Sequence, residues 1–229
     1  NARLKRDYQL WWENSITSAG NVTSLLYAAL GKDFSEKNKK LLGTPFAQFM
    51  KLTSEIRTLF KVGEKQHIAA RLMGGVLWSY GNQTIAPYSE QFYIGGANSL
   101  RAFTVRSLGP GTYNPGKNTK YGYLDQTGDI KLEANVEYRF PIFGELYGAT
   151  FLDAGNVWLM RKDESRPGGE LTLKNFAKSI ALNTGVGVRY DLTFLVIRLD
   201  MGIALHVPYE TGKSGYYNIP KFKDGLGLH

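Results

Sequence analysis

Apolar and polar side chains alternate strictly, one by one, through residues 129–142. Successive side chains of a β-strand point to opposite faces, so this segment has one apolar face and one face that is almost wholly charged or polar. It is much longer than the ~5–6 residues of a typical strand in a globular protein. Length and polarity together are typical of a tilted membrane-spanning strand whose apolar face meets lipid. Its apolar row is Ile130, Leu132, Ala134, Val136, Tyr138, Phe140 and Ile142.

The same rhythm recurs along the chain and predicts about eight strands. The segments are residues 5–16, 22–30, 46–60, 65–80, 129–142, 146–160, 180–190 and 195–206. The sequence has no run of 18 or more apolar residues, so it predicts no transmembrane helix. A closed β-barrel is the other way to satisfy every backbone hydrogen bond inside a bilayer.

The connections between these segments alternate between short and long. Short turns are expected near residues 17–20, 62–64, 143–145 and 191–193, and long connections at 31–45, 81–128, 161–178 and from 207 onward. In an antiparallel barrel, this alternation puts all short turns on one side and all long loops on the other, as in outer-membrane barrels. The sequence therefore predicts an all-β fold, a transmembrane antiparallel β-barrel.

Composition agrees with a barrel but does not separate it from a soluble β-sandwich. Aromatic residues make up 13% of the chain and there are 26 glycines, which suits curved sheets. The mean hydropathy of −0.27 is that of a soluble protein, but polar lumenal residues offset lipid-facing ones in such an average. Aromatic residues near strand ends indicate interfacial girdles; they are Trp11, Trp12, Trp78, Tyr80, Trp158, Tyr190 and Phe194.

Patterns that would indicate catalysis or cofactor binding are missing from the sequence. There is no cysteine, the three histidines are dispersed, and neither a nucleophile elbow nor a dinucleotide fingerprint is present. We therefore expect no enzyme activity, no catalytic residue, no metal site and no cofactor. The net charge is +8, but the densest basic cluster is the loop-sized patch of Lys37, Lys39 and Lys40, so we expect no nucleic-acid partner.

The connection at residues 81–128 is too long to be an idle loop of a compact domain. It contains three strong turn signals, Gly95-Gly96, Gly109-Pro110-Gly111 and Asn114-Pro115-Gly116. A loop with so many turns is expected to fold on itself. Folding back into the barrel is one such arrangement.

Residues 92–103, followed by Leu108-Gly109-Pro110, resemble the sixth extracellular loop of a known family. This is the bacterial outer-membrane protein assembly factor family, the BamA- and TamA-type insertases or surface antigens. Its loop reads Gly-Gly and, a few residues later, aliphatic-Arg-Gly-aromatic. Here the sequence has alanine where the family has the third glycine. The motif residues are Gly95, Gly96, Ser99, Leu100, Arg101, Ala102 and Phe103.

Residues 135–141 and 151–158 are similar to the two strands that follow this loop in the family. The resemblance implies that Arg101 enters the lumen and pairs with acidic groups of these strands, by position Glu137 and Asp153. The alternation agrees, since Glu137 lies on a polar face and a lipid-facing carboxylate at Asp153 would be costly. A guanidinium between two carboxylates forms strong charge-assisted hydrogen bonds. The alternative is that the three side chains are solvated separately.

The resemblance also implies a function and a location. Such a chain folds and inserts β-barrel proteins into the bacterial outer membrane without a cofactor. Its expected partners are outer-membrane lipid and lipopolysaccharide, unfolded β-barrel clients and assembly-complex lipoproteins. Residues 1–229 would then be the C-terminal half of a 16-stranded barrel without its periplasmic domains, and residues 225–229 would begin its final strand. The alternatives are a two-partner secretion-type polypeptide translocation pore and a passive porin.

Overall fold

The computed structural model describes residues 7–34, 36–82, 84–116, 126–192 and 194–229. Parts of four predicted segments lie outside these ranges: the start of the strand at 5–16, residue 35 of the loop at 31–45, residues 83 and 117–125 of the loop at 81–128, and residue 193 of a turn.

The elements follow the chain in the order β1 (Tyr8–Ala19), α1 (Asn21–Ala29), β2 (Lys40–Leu41), β3 (Thr44–Pro45), β4 (Phe49–Gly63), β5 (Gln66–Ser79), β6 (Ile130–Phe143), β7 (Leu146–Trp158), α2 (Phe176–Ser179), β8 (Ala181–Asp191), β9 (Val196–His206), a 3₁₀ turn (Phe222–Gly225) and β10 (Leu226–Leu228). Eight antiparallel strands form one sheet in the order β1-β4-β5-β6-β7-β8-β9-β10. A separate two-stranded hairpin consists of β2 and β3. Strands β1 and β10 lie at the two ends of this order.

The sheet has an apolar outer face and a polar inner face, as the alternation predicts. In β6, Glu133 is fully buried, whereas Val136 on the other face is 46% exposed. The outer face continues across β9 with the exposed side chains of Ile197, Leu199 and Met201. A sheet that spans a lipid bilayer has this distribution, with apolar side chains on the outer face and carboxylates buried on the inner face. In the described part of the chain, no helix combines the length and hydrophobicity needed to cross a bilayer.

The predicted strand at residues 22–30 is wrong, because this segment is helix α1. Its apolar residues recur at helical spacing, at 22, 25, 26, 29 and 30, which is a 3.6-residue and not a two-residue period. The predicted turn at 17–20 is also wrong, because β1 runs to Ala19 and α1 begins at Asn21. Gly20 lies between them with a φ of 73°, and a Cβ there would lie 2.3 Å from the Ala47 carbonyl oxygen.

Short and long connections nevertheless alternate along the main sheet. Residues 64–65, 144–145 and 192–195 join β4 to β5, β6 to β7 and β8 to β9. Residues 20–48, 80–129, 159–180 and 207–225 form the long connections. Because adjacent strands are antiparallel, all long connections lie at one end of the sheet. The expected start of a further strand is found as β10, whose Leu228 pairs with Met201 of β9.

The aromatic residues divide between the two faces. Trp12, Trp78, Tyr190 and Phe194 are exposed, as girdle residues would be. Trp158 is buried instead, because its ring stacks on Phe176 of α2 and its indole nitrogen donates to Ser179 Oγ at 2.9 Å. Trp11 lies beside Arg57 on the inner face.

Candidate functional site

The long loop lies against the inner face of the sheet. A two-way backbone bridge closes its neck, where the nitrogens of Phe92 and Gly128 each donate to the other residue's carbonyl oxygen at 2.9 Å. The Phe92 ring lies over Gly75 of β5, where an added Cβ would be 2.5 Å from the ring. Glycine at this wall position therefore lets the loop start against the sheet.

Residues 94–106 fold back on themselves and present Arg101 near the tip. The Gly96 nitrogen donates to the Phe103 carbonyl oxygen at 2.7 Å, and Arg106 N donates to Ile94 O at 3.0 Å. Gly95 and Gly96 have φ angles of 98° and 94°, a region that favours glycine. At Gly95 a Cβ would also lie 2.1 Å from the Thr104 carbonyl oxygen. The Gly-Gly signal in the sequence thus marks a turn that other residues would strain.

Strand register places the two predicted carboxylates beneath this tip. Asn135 of β6 pairs with Asp153 of β7, and Glu137 pairs with Phe151. Arg101 donates to both Asp153 oxygens, from Nε at 3.0 Å and from Nη2 at 2.8 Å. Its Nη1 donates to Glu137, and its backbone nitrogen donates to Asp153 at 3.2 Å. The structure therefore places Arg101 in contact with both carboxylates that the sequence singles out.

Two further residues of the cluster are missed by sequence reasoning. Arg189 of β8 bridges Glu137, at 2.9 Å, and Asp200 of β9, at 2.7 Å. Asp200 also lies 3.7 Å from Arg101. The alternation does put Arg189 and Asp200 on the inner face, but it does not say which inner-face residues meet across three strands. We use the name lumenal cluster for Arg101, Glu137, Asp153, Arg189 and Asp200.

The lumenal cluster is almost fully removed from solvent. Asp153 and Asp200 are fully buried and Arg101 is 5% exposed. Burial alone would lower the pKa of the Arg101 guanidinium, but the hydrogen bonds and charges of Asp153 and Glu137 raise its pKa above the ordinary value. Arg101 is therefore charged at every pH that the protein meets.

Neutral groups complete the surroundings of Arg101. The guanidinium carbon lies 3.5 Å from the centre of the Phe151 ring, a stacking that favours a cation. The side-chain nitrogens of Asn135 and Asn183 each donate to Asp153 at 3.0 Å. Gly185 makes room for the Phe151 ring, because a Cβ there would lie 2.4 Å from it.

The residues that precede Arg101 are fixed to several strands of the sheet. Ser99 Oγ donates to Glu133 of β6 at 2.7 Å. Arg198 of β9 donates to the Ala97 carbonyl oxygen at 2.7 Å and to Asn98 at 3.0 Å. Arg71 of β5 donates to the Asn98 carbonyl oxygen at 3.1 Å. The tip is thus fixed to β5, β6, β7 and β9.

The remaining motif residues pack and do not pair charges. Leu100 is fully buried and Phe103 is 8% exposed, both within the apolar cluster under the loop. Ala102 lies against two glycines of the wall, where a Cβ on Gly202 of β9 or on Gly227 of β10 would come within 2.8 Å of its backbone. Glycines on the sheet therefore give close backbone contact to a loop residue that is itself alanine.

The arrangement is suited to holding the loop. Its carboxylates are engaged by arginines and amides, and nothing in the described ranges groups three or more His, Cys, Asp or Glu side chains for a metal ion. A fixed loop keeps its order because the hydrogen bonds offset the entropy of ordering it. The roles of these residues in activity stay predictions.

Comparison with protein families gives the decisive match. A model described as the Omp85 superfamily domain matches residues 27–227. The chain belongs to the Omp85 superfamily. This confirms the predicted family, and with the sheet described above it confirms the predicted class of fold, a transmembrane antiparallel β-barrel type. An Omp85 chain of this type lies in the bacterial outer membrane, as predicted.

Two curated relatives and one solved structure resemble this Omp85 chain. The outer membrane protein assembly factor BamA of Neisseria meningitidis serogroup B is 34% identical over 90 residues, which are 37% of this chain and 11% of that protein. The human sorting and assembly machinery component 50 homolog is 28% identical over 150 residues, 63% of this chain and 30% of that protein. The crystal structure of BamA from Haemophilus ducreyi lacking POTRA domains 1–3 matches with a TM-score of 0.52 and 18% identity, over 79% of this chain and 33% of that one.

The matched region is a small share of each relative. The chain spans between about a tenth and a third of the length of these proteins. The likeness to the Haemophilus ducreyi structure, at 18% identity, shows the fold alone.

Proposed function

We propose that this Omp85 chain is part of a factor that folds β-barrel proteins and inserts them into the bacterial outer membrane. The observation that carries the proposal is the family match over residues 27–227. The names of both curated relatives support it, since one is an outer membrane protein assembly factor and the other a component of a sorting and assembly machinery. Unfolded β-barrel chains are then its clients, and an assembly complex is its setting.

The geometry supports a function at the wall of the sheet more than one through its centre. The loop tip lies on the inner face of the sheet and is fixed to four of its strands. An open strand edge, in contrast, offers a row of backbone groups that a client strand can pair with. We propose that client strands form at such an edge. The lumenal cluster stabilises the sheet to which this edge belongs.

Refolding in liposomes tests the proposal. The full-length protein is reconstituted, a urea-unfolded β-barrel client is diluted into the suspension, and its folding is followed by the heat-modifiable shift in gel mobility. We expect the client to fold faster than in empty liposomes or in liposomes that contain an unrelated porin at equal density. Equal rates in all three preparations would contradict an assembly function.

The predicted alternatives differ in what crosses the lumen. A passive porin conducts ions steadily, and a translocation pore exports one polypeptide through its centre. The fixed loop disfavours the porin because it takes up room on the inner face, where an open pore would hold water. Planar-bilayer recordings separate the cases: a large, steady conductance of the unmodified protein would favour the porin, and export of a protein into the liposome lumen would favour the pore.

Three narrower predictions accompany this proposal. We propose that outer-membrane lipid, lipopolysaccharide and assembly-complex lipoproteins are partners of the full-length protein. We propose that it acts without enzymatic turnover. That residues 1–229 form the C-terminal half of a 16-stranded barrel stays a prediction, which a structure of the full-length protein would test.

A further inference from the structure

Helix α1 has its apolar side turned away from the protein. Its apolar residues at helical spacing form one stripe, and the large ones are 60–82% exposed. We use the name α1 stripe for Val22, Leu25, Leu26, Ala29 and Leu30. In a water-soluble protein the apolar stripe of a surface helix faces the core. An exposed stripe of this kind marks a contact with a membrane or with another protein.

The opposite side of α1 is polar and is bonded to the protein. Ser24 is fully buried and donates to Gln48 Oε1 at 2.9 Å. Asn21 Oδ1 accepts from Gln48 at 3.2 Å and from the Tyr80 hydroxyl at 2.9 Å. Because polar groups fix this side to the sheet, the outward direction of the α1 stripe is set by the fold.

The position of α1 is continuous with the lipid-facing surface. Gln48 and Tyr80 directly extend the outward-facing rows of β4 and β5, which contain Met50 and Trp78. The Tyr80 ring packs edge-on against Trp78, an exposed aromatic residue of the outer face, with 5.6 Å between centroids. Helix α1 therefore lies on the outer side of the rim, next to aromatic residues of the kind that mark a membrane interface.

The charge of this connection suits a surface that bears phosphates. Residues 20–48 contain four lysines and two acidic residues. Lys32, Lys37 and Lys40 are exposed, whereas the Lys39 amine bonds to the carbonyl oxygens of Asp33 and Phe34. The helix itself carries no basic residue, and these lysines follow it in the same connection. Electrostatic attraction to anionic lipid strengthens the binding of an apolar helical stripe to a membrane surface.

We propose that α1 is an interfacial helix that seats the α1 stripe in the outer leaflet of the membrane, with Lys32, Lys37 and Lys40 of the following segment toward lipid phosphates. The proposal rests on the location of the chain in an outer membrane and does not depend on the assembly function. It gives the lipid partner a specific place on the protein. The depth expected of such a helix is ~5–10 Å into the boundary between headgroups and acyl chains.

Depth-dependent quenching of a fluorescent label tests whether the α1 stripe lies in the membrane. This chain has no cysteine, so Leu26→Cys is introduced into the full-length protein, with any cysteine outside this chain replaced, and labelled with an environment-sensitive fluorophore. Ala28→Cys is the matched control, because Ala28 is also exposed but lies on the opposite side of the same helix. Both are reconstituted in phosphatidylcholine nanodiscs with or without acyl-brominated lipid.

We expect loss of fluorescence from the Leu26 site with brominated lipid and little loss with aqueous iodide, and the reverse pattern at the Ala28 site. Iodide quenching at both sites would place the stripe in water and overturn the proposal. A Leu26 site protected from both quenchers would mean that a partner protein or a second copy covers it, which overturns the lipid as occupant.

A second series of quenching measurements tests the proposed contact between the lysines and lipid phosphates. Replacing part of the phosphatidylcholine by phosphatidylglycerol should increase brominated-lipid quenching at the Leu26 site, and Lys32→Gln/Lys37→Gln/Lys40→Gln should abolish the increase. No dependence on the anionic lipid would overturn the role of the lysines. Client folding is measured on the same labelled proteins, so a failure of the assembly function is seen separately from a failure of the seating.

Discussion

Arg101 makes four hydrogen bonds to two carboxylates, and these carboxylates differ in what else they contact. Glu137 also pairs with Arg139 and Arg189, at 2.7 and 2.9 Å. Within the described residues, Arg101 is the only cation that pairs with Asp153, whose other side-chain donors are amides. The loop therefore provides the counter-charge that this fully buried carboxylate needs.

Replacing Arg101→Ala should lower the free energy of unfolding of the full-length protein by about 3–5 kcal/mol, because it leaves a buried carboxylate without a counter-charge. Urea unfolding in lipid bilayers, followed by tryptophan fluorescence, measures the change. Arg57→Ala is the control on the same inner face; its side chain is 56% exposed, so we expect about 0–1 kcal/mol. Equal losses in the two variants would contradict a special role of Arg101.

The same reasoning predicts that Asp153→Asn partly rescues Arg101→Ala. An amide at residue 153 fits the space of the carboxylate and removes the unpaired buried charge, so the double variant should be more stable than Arg101→Ala alone. Glu164→Gln, on an exposed loop residue, is the control and should give no rescue. A double variant whose loss equals the sum of the two single losses would show that residues 101 and 153 act independently.

For single residues, the sequence alone predicts those members of the lumenal cluster that a motif identifies. It does not predict the members that only the curvature of the sheet brings together. Arg101, Glu137 and Asp153 follow from the loop motif and the order of the strands. Arg189 and Asp200 have no motif of their own. They join the cluster because β8 and β9 bring their inner faces around to the loop tip, which depends on the three-dimensional sheet.

Among the elements, strands β8 to β10 form the floor on which the loop tip rests. Gly185, Gly202 and Gly227 are directly paired neighbours across these three strands. This row of glycines leaves the sheet without side chains at the point where Ala102 and the Phe151 ring approach it. The loop can approach the sheet this closely because these three positions carry no side chain.

Gly202→Ala should dislodge the loop tip. The added Cβ would lie 2.8 Å from the Ala102 nitrogen and 2.9 Å from its Cα, both backbone atoms that cannot rotate away. We expect faster trypsin cleavage within residues 94–106 and lower thermal stability. Gly74→Ala is the matched control in strand β5, because nothing lies within 4 Å of its added Cβ; it should be neutral or slightly stabilising. Unchanged cleavage in Gly202→Ala would refute the close contact.

Strand β10 is only three residues long, so its pairing needs a direct test. Met201 and Leu228 are directly opposite each other. They flank the pair Asp200 and His229, whose backbone groups exchange both hydrogen bonds, so residues 201 and 228 form a close, non-hydrogen-bonded pair. Met201→Cys/Leu228→Cys should form a disulfide on mild oxidation, whereas Leu199→Cys/Leu228→Cys should not. Cross-linking of the second pair would indicate a different register.

The strands are more predictable from sequence than the helix, for a physical reason. Lipid on one side and polar groups on the other impose a two-residue period on every spanning strand, and residues 129–142 show it clearly. Residues 22–30 have a polar side that faces the protein and an apolar side that faces outward. That inversion removes the usual link between apolar residues and a core, so only the spacing of the apolar residues distinguishes this helix from a strand.

The two ends of the sheet differ in the length of the connections between strands. Three turns of two to four residues close one end, and four connections of nineteen residues or more lie at the other. The long loop descends from the second end along the inner face of the sheet, and α1 lies on its rim. Family membership and this asymmetry together predict that the end with the long connections faces the outside of the cell.

Labelling of intact cells tests this orientation. Glu164 lies in a long connection and Glu145 in a short turn, and both are exposed. A membrane-impermeant maleimide should label Glu164→Cys in intact cells and should label Glu145→Cys only after the outer membrane is permeabilised. The opposite pattern would invert the orientation, and equal labelling of both would mean that the sheet does not separate the two compartments.

The lumenal cluster also affects the order in which parts of the molecule fold. Arg101 meets a carboxylate 52 residues further along the chain, and the Ala97 carbonyl oxygen meets an arginine 101 residues further. Contacts between such distant positions form late, because the intervening chain must first find its place. The loop contacts β6 to β9, so we expect it to be secured only after these strands are paired, and protection of Arg101 from a protease would report that this part of the sheet has formed.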